Sequence, residues 1–562
     1  MRIFLLIGFF LVFQTSFTQI KNKNHATKVS YKQYNNGKIN EKSNVSFIYM
    51  DHVVYLSASN DKVRSYIDFE NGQNVDIMKY NEALYKTITS FDKLGKPKFL
   101  NEEETIEGYK CKKALFSAFS NKIEVWYTEE SPIKGSPYKN YLPSKNAFVL
   151  KIVINGNREL RVNEIKELKE QQKLNFPIND AKEITQAEFE EYKIKSRYVT
   201  FPIFENETIN FDPSIKTTSV DGADDGKTLR FSNGTVILKK IKFPKEVKKN
   251  AQVYAKLTNI SNGDAYDRTG TVFILPVKHV RKTLLDGLAL GVDKLPKYFD
   301  NDKNEYQGIV SDETYDTPIE IMRFFTSFGV GHFNNLRVIN NYPWKNSVTY
   351  KQDVTALIPT DQEEVWVGVF IGNYDKGGHK VSLEFNYYPS WEENEEINKW
   401  IQPAFSTLNV LEMSGQNYGR LFKNDTLRAV VTIPKNIKNP QLLFTSTGHG
   451  GWGGGDEFNQ KLNEIFIDGK LVYSVVPWRT DCATYRYSNP ASGNFFNGLS
   501  SSDLSRSNWC PATLTPPYII PLHNLEPGAH TIEVVINQGD DEGSSFSHWN
   551  VSGVFIGEKQ SE

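Results

Sequence analysis

For most of its length the chain alternates short apolar stretches with polar ones at a period of two. Before residue 160 that period marks strands at 45–57, 62–69, 83–90 and 123–127. The stretch 162–174 is charged and reads as a helix. Thr185, followed three positions later by Glu188, is a capping box that opens a second helix running to about Lys195. Pro202 marks a change of texture. Beyond it amphipathic helical spacing nearly vanishes. Strand-like runs recur instead at 235–243, 252–257, 271–277, 319–328, 365–371, 381–388, 427–433, 441–446, 465–467, 518–522 and 531–536. Many short strands in two blocks predict two antiparallel sandwiches. The charged stretch between Trp391 and Trp400 reads as the joint between them.

The first residues differ. Arg2 precedes an apolar run at 3–13 that is too short to cross a bilayer, and Ser16-Phe17-Thr18 follows with small ends. This pattern predicts a signal peptide over 1–18, cleaved before Gln19. No later run is long and apolar enough for a membrane helix, and no Cys follows the apolar run. The expectation is a secreted or periplasmic protein without a membrane partner. The remainder is expected to divide into domains at 19–200, 203–390 and 400–560.

Composition narrows the partners. With 36 Phe and 28 Tyr in 562 residues, the chain cannot be disordered. Lys+Arg is 66 and Asp+Glu 67, so the net charge is −1 and no global field draws in nucleic acid or an anionic membrane. A neutral partner, such as a glycan or a peptide, fits better. Of the three cysteines, Cys482 and Cys510 share one Gly/Asn/Ser-rich stretch and are able to close a loop of their spacing. Cys111 sits in a strand-like run and reads as a buried thiol. The nine His show no HExxH, and three isolated Cys make no zinc site, so no metal or other cofactor is expected. The run Gly448-His449-Gly450-Gly451-Trp452-Gly453-Gly454-Gly455 lacks the Lys-Ser/Thr of a phosphate loop. Glycine there lets a backbone pass close to something bulky.

Particular residues carry a resemblance. Tyr266-Asp267-Arg268 before the strand at 271–274 is similar to the Trp-Asp-Arg motif of the peptide-N-glycosidase F family. Ile319-Glu320-Ile321-Met322-Arg323-Phe324 with Val330-Gly331 resembles that family's next strand and turn. Asp456-Glu457-Phe458 resembles its acidic turn. Ser505-Arg506-Ser507-Asn508-Trp509-Cys510-Pro511, at the end of 482–511, resembles its disulfide-closed loop. Gly539-Asp540 and Ser552-Gly553-Val554-Phe555-Ile556 complete a likeness that runs from about residue 208 to 558. The resemblance implies two side-by-side antiparallel jelly-roll sandwiches, behind a smaller β-rich (α+β) domain. The fold class is therefore expected to be mainly β.

The same resemblance implies an amidase. Its substrate would be the amide between Asn and the innermost GlcNAc of N-glycosylated peptides or proteins, cut without a metal. Asp267 would be the acid/base, Arg506 would pair with it, and Glu457 with Arg268 would hydrogen-bond the chitobiose and peptide. Tyr266, Tyr374, His449, Trp452 and Trp509 would line the substrate. Cys482 and Cys510 would be bonded, leaving Cys111 free. A monomer is expected. One position departs from the pattern: the family's third carboxylate aligns near Gly372 and the aromatic after it near Tyr374. That loss keeps open an alternative, a non-catalytic glycan- or surface-binding jelly-roll protein. It also implies open space near the first GlcNAc. An insertion at about 278–317 is able to build a lid. Before the sandwiches, Gly108-Tyr109-Lys110-Cys111, Trp126-Tyr127-Thr128 and Ser131-Pro132-Ile133 through Tyr138 resemble the GLPGLI-type domain of secreted bacterial proteins, its name-giving stretch altered to Tyr141-Leu142-Pro143-Ser144-Lys145-Asn146. Such a domain reads as a binding or support module.

Overall fold

The structure, a computed structural model, describes residues 26–57, 62–168, 176–220, 226–244, 251–278, 280–389, 398–450, 454–490, 500–523, 525–541 and 545–560. The expected signal peptide lies outside the described residues. The chain forms two compact units, 1–196 and 197–562.

The first unit is a 13-stranded, almost wholly antiparallel sheet. One hairpin turns on the two residues Asn36-Gly37, both at positive φ. Two-residue turns need that geometry to follow the strand twist, and Asn-Gly adopts it at low cost. One face buries Val29, Phe47, Ile67, Val125, Phe148 and Ile152. The capping box at Thr185 forms, and the helix Gln186–Lys195 seats Phe189 against Val63 and Met78. The stretch at 162–174 corrects the sequence reading. As far as it is described it is the strand Arg158–Leu168, paired between Ala26–Asn35 and Phe148–Ile154. Leu160 and Val162 are buried while Glu164, Lys166 and Glu167 project into solvent. Pairing with two neighbours overrides the charged, helix-like composition.

The second unit contains two antiparallel sandwiches. In the first, a sheet of Val199–Ile209, His379–Tyr388, Gln252–Ser261 and Ser347–Asp353 faces a six-stranded one. The latter includes Val236–Lys242, Glu364–Ile371, Thr269–Pro276 and Ile319–Phe325. In the second, Lys399–Ser406, His548–Lys559, Ile437–His449 and Tyr518–Pro521 form one sheet. Leu427–Ile433, Gly528–Ile536, Asn463–Ile467 and Lys470–Val475 form the other. Along Leu427–Ile433 burial alternates residue by residue, as one wet face dictates. Along Glu364–Ile371 it does not, because both faces are covered. Val365, Val367 and Val369 fill the sandwich core, whereas Trp366 and Phe370 meet the insertion.

That insertion is not a free lid. Thr283 and Asp286 make a capping box that starts the helix Leu284–Leu290, a helix the two-residue pattern concealed. Leu284, Leu285 and Leu288 pack on Phe273, Phe370 and Leu411. The insertion thereby fills the space between the first sandwich and a loop of the second. Two further devices join the sandwiches. Leu514–Thr515 adds an edge strand beside Ile319–Phe325. Buried Arg323 makes a two-pronged pair with Glu320 (2.7 and 3.0 Å) and also donates to Thr447 Oγ1 (3.1 Å) of the second sandwich.

Candidate active site

The two sandwiches bring three charged side chains together from positions far apart in sequence. Asp267 lies on the turn that enters the strand Thr269–Pro276. Its neighbours are pinned: Arg268 N–H donates to Thr326 Oγ1 (2.8 Å), Thr326 N–H donates to the Arg268 carbonyl (3.0 Å), and Tyr266 N–H donates to Asp264 Oδ1 (3.1 Å). The side chain between these anchors is therefore fixed in direction.

Arg506 reaches it from the second sandwich. One guanidinium nitrogen, Nη1, donates to Asp267 Oδ2 at 3.1 Å and to Glu457 Oε1 at 2.7 Å. Nη2 donates to the Ser501 carbonyl at 2.9 Å. The guanidinium is 1% exposed and lies 4.3 Å from the Trp509 ring and 5.1 Å from that of Phe458. Backbone bonds set this geometry: Arg506 and Arg479 exchange two, and Ser507 N–H donates to the Glu457 carbonyl at 3.0 Å. Asp456 anchors the acidic turn by accepting from Trp549 Nε1 (2.7 Å) and Gly539 N–H (3.0 Å). Burial pushes the Glu457 carboxyl up to about 7; Arg506 pulls it down and Asp267 pushes it up.

Arg268 forms a second cluster beside the first. Asp264 accepts its Nε (2.7 Å) and Nη2 (3.0 Å). Burial alone would raise the Asp264 carboxyl, but His379 and Arg268 hold it well below the usual carboxylate range. The guanidinium lies 5.1 Å from the Tyr266 ring and 4.9 Å from that of Tyr374. Both rings are half exposed, at 57% and 52%, and Tyr266 also stacks on Phe328 at 6.1 Å. The Tyr374 hydroxyl meets the Tyr418 hydroxyl at 2.7 Å, and Tyr418 donates to Glu412 Oε2 at 3.0 Å. A Cβ on Gly372 would stand 3.6 Å from Glu412 Oε1, which is buried and makes no hydrogen bond among the described residues. A carboxylate from the second sandwich thus takes up part of the space that Gly372 leaves, and burial raises its carboxyl.

Two expected substrate contacts are corrected. Trp509 is 4% exposed, stacked on Phe325 at 4.5 Å and against Arg506, so its faces are covered and it supports Arg506 instead of a sugar. His449 is 6% exposed among Phe325, Trp509 and His548. Burial holds it well below the ordinary imidazole range, so it is a neutral packing group. Trp452 lies outside the described residues. The glycine run has a structural use: a Cβ on Gly448 would come within 2.8 Å of Trp549 and 2.9 Å of Ser507, the residue after Arg506. Asp264, Glu412 and Tyr418 were not found from sequence. The i, i+4 spacing of Asp264 and Arg268 was a usable signal; Glu412 and Tyr418 carry none. Among the described residues no three His, Cys, Asp or Glu side chains gather as metal ligands.

Cys482 and Cys510 are bonded and close the loop that carries Arg506 and Trp509. Such closure is worth roughly 3–4 kcal/mol in the chain-entropy model. Cys111 is buried, and burial pushes its thiol up to about 11. Alkylation is expected to tag no cysteine in the native protein and one, Cys111, in the denatured unreduced protein. Three tags would mean that the loop is open.

Comparison with known proteins gives the following likenesses. Residues 200–387 match the family model described as Peptide-N-glycosidase F, N terminal, and 417–556 match its C-terminal counterpart. Residues 29–190 match the model described as N-glycanase peptide, N-terminal domain. A solved structure of PNGF-II is 41% identical, covering 96% of this chain and 99% of its own, with a TM-score of 0.78. A second, also 41% identical, covers 95% and 100% with a TM-score of 0.80. PNGase F, a glycosylasparaginase from Flavobacterium meningosepticum, is 15% identical over 65% of this chain and 96% of its own, with a TM-score of 0.42, a likeness too distant to build on. No curated protein matches the chain.

Proposed function

The chain belongs to the peptide-N-glycosidase F family, and on that footing we propose that it hydrolyses the amide between Asn and the innermost GlcNAc of N-glycosylated peptides or proteins. The products are Asp in place of Asn and a whole glycan carried as a glycosylamine, which then loses ammonia. The observation that supports this best is the single guanidinium nitrogen shared by Asp267 and Glu457, beside two half-exposed tyrosines.

The chemistry follows from the residues. An unactivated amide needs a positioned water and a base to take its proton. Asp267, held by Arg506, removes a proton from water as its oxygen attacks the amide carbon. The same carboxyl returns that proton to the nitrogen as the C–N bond breaks. Arg506 fixes the Asp267 carboxylate through a charge-assisted hydrogen bond. Glu457, Arg268 and Glu412 hold the sugar, and Tyr266 and Tyr374 offer it flat surfaces. Glu412 supplies an acceptor near Gly372, which weakens the case for a scaffold that binds glycans without cutting them. A disulfide-bonded chain with an expected signal peptide suits the periplasm or the medium.

Incubation with a denatured glycopeptide is expected to release the glycan with its chitobiose whole. Cleavage between the two GlcNAc units would replace this reading with a glycosidase, and binding without release would favour the non-catalytic alternative.

Glu457 adds a pH dependence. Its ionised form accepts from Arg506 and from sugar hydroxyls, and with the carboxyl at about 7 that form is lost as pH falls through neutrality. The glycopeptide KM is expected to rise as pH falls through about 7 and to be nearly level in Glu457→Gln. That variant is expected to lower kcat/KM by about tenfold, mostly through KM, and Glu412→Gln to act in the same direction. A wild-type KM that stays level across neutrality would remove Glu457 from the binding role.

A further inference from the structure

Tyr418 also lines a cavity of about 610 Å³ in the second unit. That falls within the roughly 300–1,000 Å³ of small-ligand sites. Its wall comes from three separate segments: 304–306 of the insertion, 416–424, and Phe546.

The wall has the chemistry of a neutral, hydroxyl-rich ligand. Every charged side chain in it has an opposite partner. Glu305 meets Lys297 at 2.8 Å, Arg420 meets Asp541 at 2.5 Å, and Lys423 meets Asp540 at 3.3 Å. A phosphate or carboxylate site would leave cations unneutralised. Asn304 and Asn417 each use one amide N–H within the protein, on Asp300 Oδ2 and the Glu305 carbonyl, and with Asn424 they still carry a second N–H and an acceptor, matching hydroxyls that do both. Tyr418 and Phe546, edge to face at 5.2 Å, supply aromatic carbon to the wall. Tyr418 ties this cavity to the site already described: its ring lines the cavity, and its hydroxyl bonds to Tyr374 and Glu412. A sugar-compatible chamber thus shares one side chain with the cluster of Tyr374 and Glu412.

We propose that this cavity is a second sugar subsite, which takes neutral sugars beyond the chitobiose of the same N-glycan whose Asn linkage lies at Asp267. The inference rests on the amidase reading for the identity of the ligand.

The test compares two glycopeptides of one peptide sequence, one bearing an oligomannose glycan and one trimmed to chitobiose. The wild type is expected to favour the oligomannose form by at least about fivefold in kcat/KM. Asn424→Trp, which fills the cavity, is expected to abolish most of that preference while changing the chitobiose rate by less than about twofold. Asn424→Ala, a milder change, is expected to lower only the oligomannose rate. Equal rates for the two substrates in the wild type, or variants that slow both equally, would overturn the subsite and leave the amidase reading standing. If the wild type releases neither glycan, the amidase reading fails. Calorimetric titration with free oligomannose then decides: binding by the wild type that Asn424→Trp loses supports the subsite, and equal or absent binding overturns it.

Discussion

Asp267→Asn is expected to lower kcat/KM on a glycopeptide by about 10²–10⁴-fold, the usual cost of losing a general base. That corresponds to about 3–5 kcal/mol of barrier. Asn keeps the shape of Asp and still accepts from Arg506 Nη1, which lies 3.1 Å from Asp267 Oδ2. It cannot take a proton from water. The pinned backbone on either side of residue 267 argues that the variant folds. A surface ion pair predicts something else, since an exposed pair is worth under about 1 kcal/mol and its loss would change the rate by a few-fold at most. Measured kcat/KM for the folded variant, beside Glu457→Gln on the same substrate, separates the two accounts.

Arg506→Met is expected to damage both activity and stability. The side chain is 1% exposed and serves two carboxylates at once, Asp267 at 3.1 Å and Glu457 at 2.7 Å. Removing it leaves Asp267 and Glu457 facing each other in a largely buried place. Breaking a buried pair by deleting one partner costs about 3–5 kcal/mol, because the remaining charge is uncompensated. The bond to the Ser501 carbonyl and the stack on Trp509 are lost as well. Activity is expected to fall at least as far as in Asp267→Asn. Lys in its place is expected to restore little, since it cannot present the same fork. Thermal unfolding and glycopeptide turnover measured together test this; a variant with wild-type melting and turnover would contradict it.

The strand-rich halves were legible because a two-residue period survives wherever one face of a sheet is wet, as along Leu427–Ile433. It fails where both faces are covered. Glu364–Ile371 still reads as a strand, but nothing in it announces the helix Leu284–Leu290 packed on its second face. The strand Arg158–Leu168 was misread because its charges face solvent while its pairing lies in distant residues. Asp267, Glu457 and Arg506 were each readable from a local motif, and folding brought them within hydrogen-bond distance. Trp509 differs from the expectation because an aromatic three residues after an Arg reads alike whether it faces a ligand or the guanidinium. Glu412 was invisible: it reaches the Gly372 position from another sandwich, and no local spacing connects the two.

The proposed reaction cuts one bond, the Asn–GlcNAc amide. Mass spectrometry of a glycopeptide after incubation identifies that bond. The expected product is a peptide that has lost its entire glycan and gained one mass unit at the former Asn, now Asp, with both GlcNAc units on the released sugar. A peptide that keeps one GlcNAc, or remains fully glycosylated after prolonged incubation with folded protein, would contradict it.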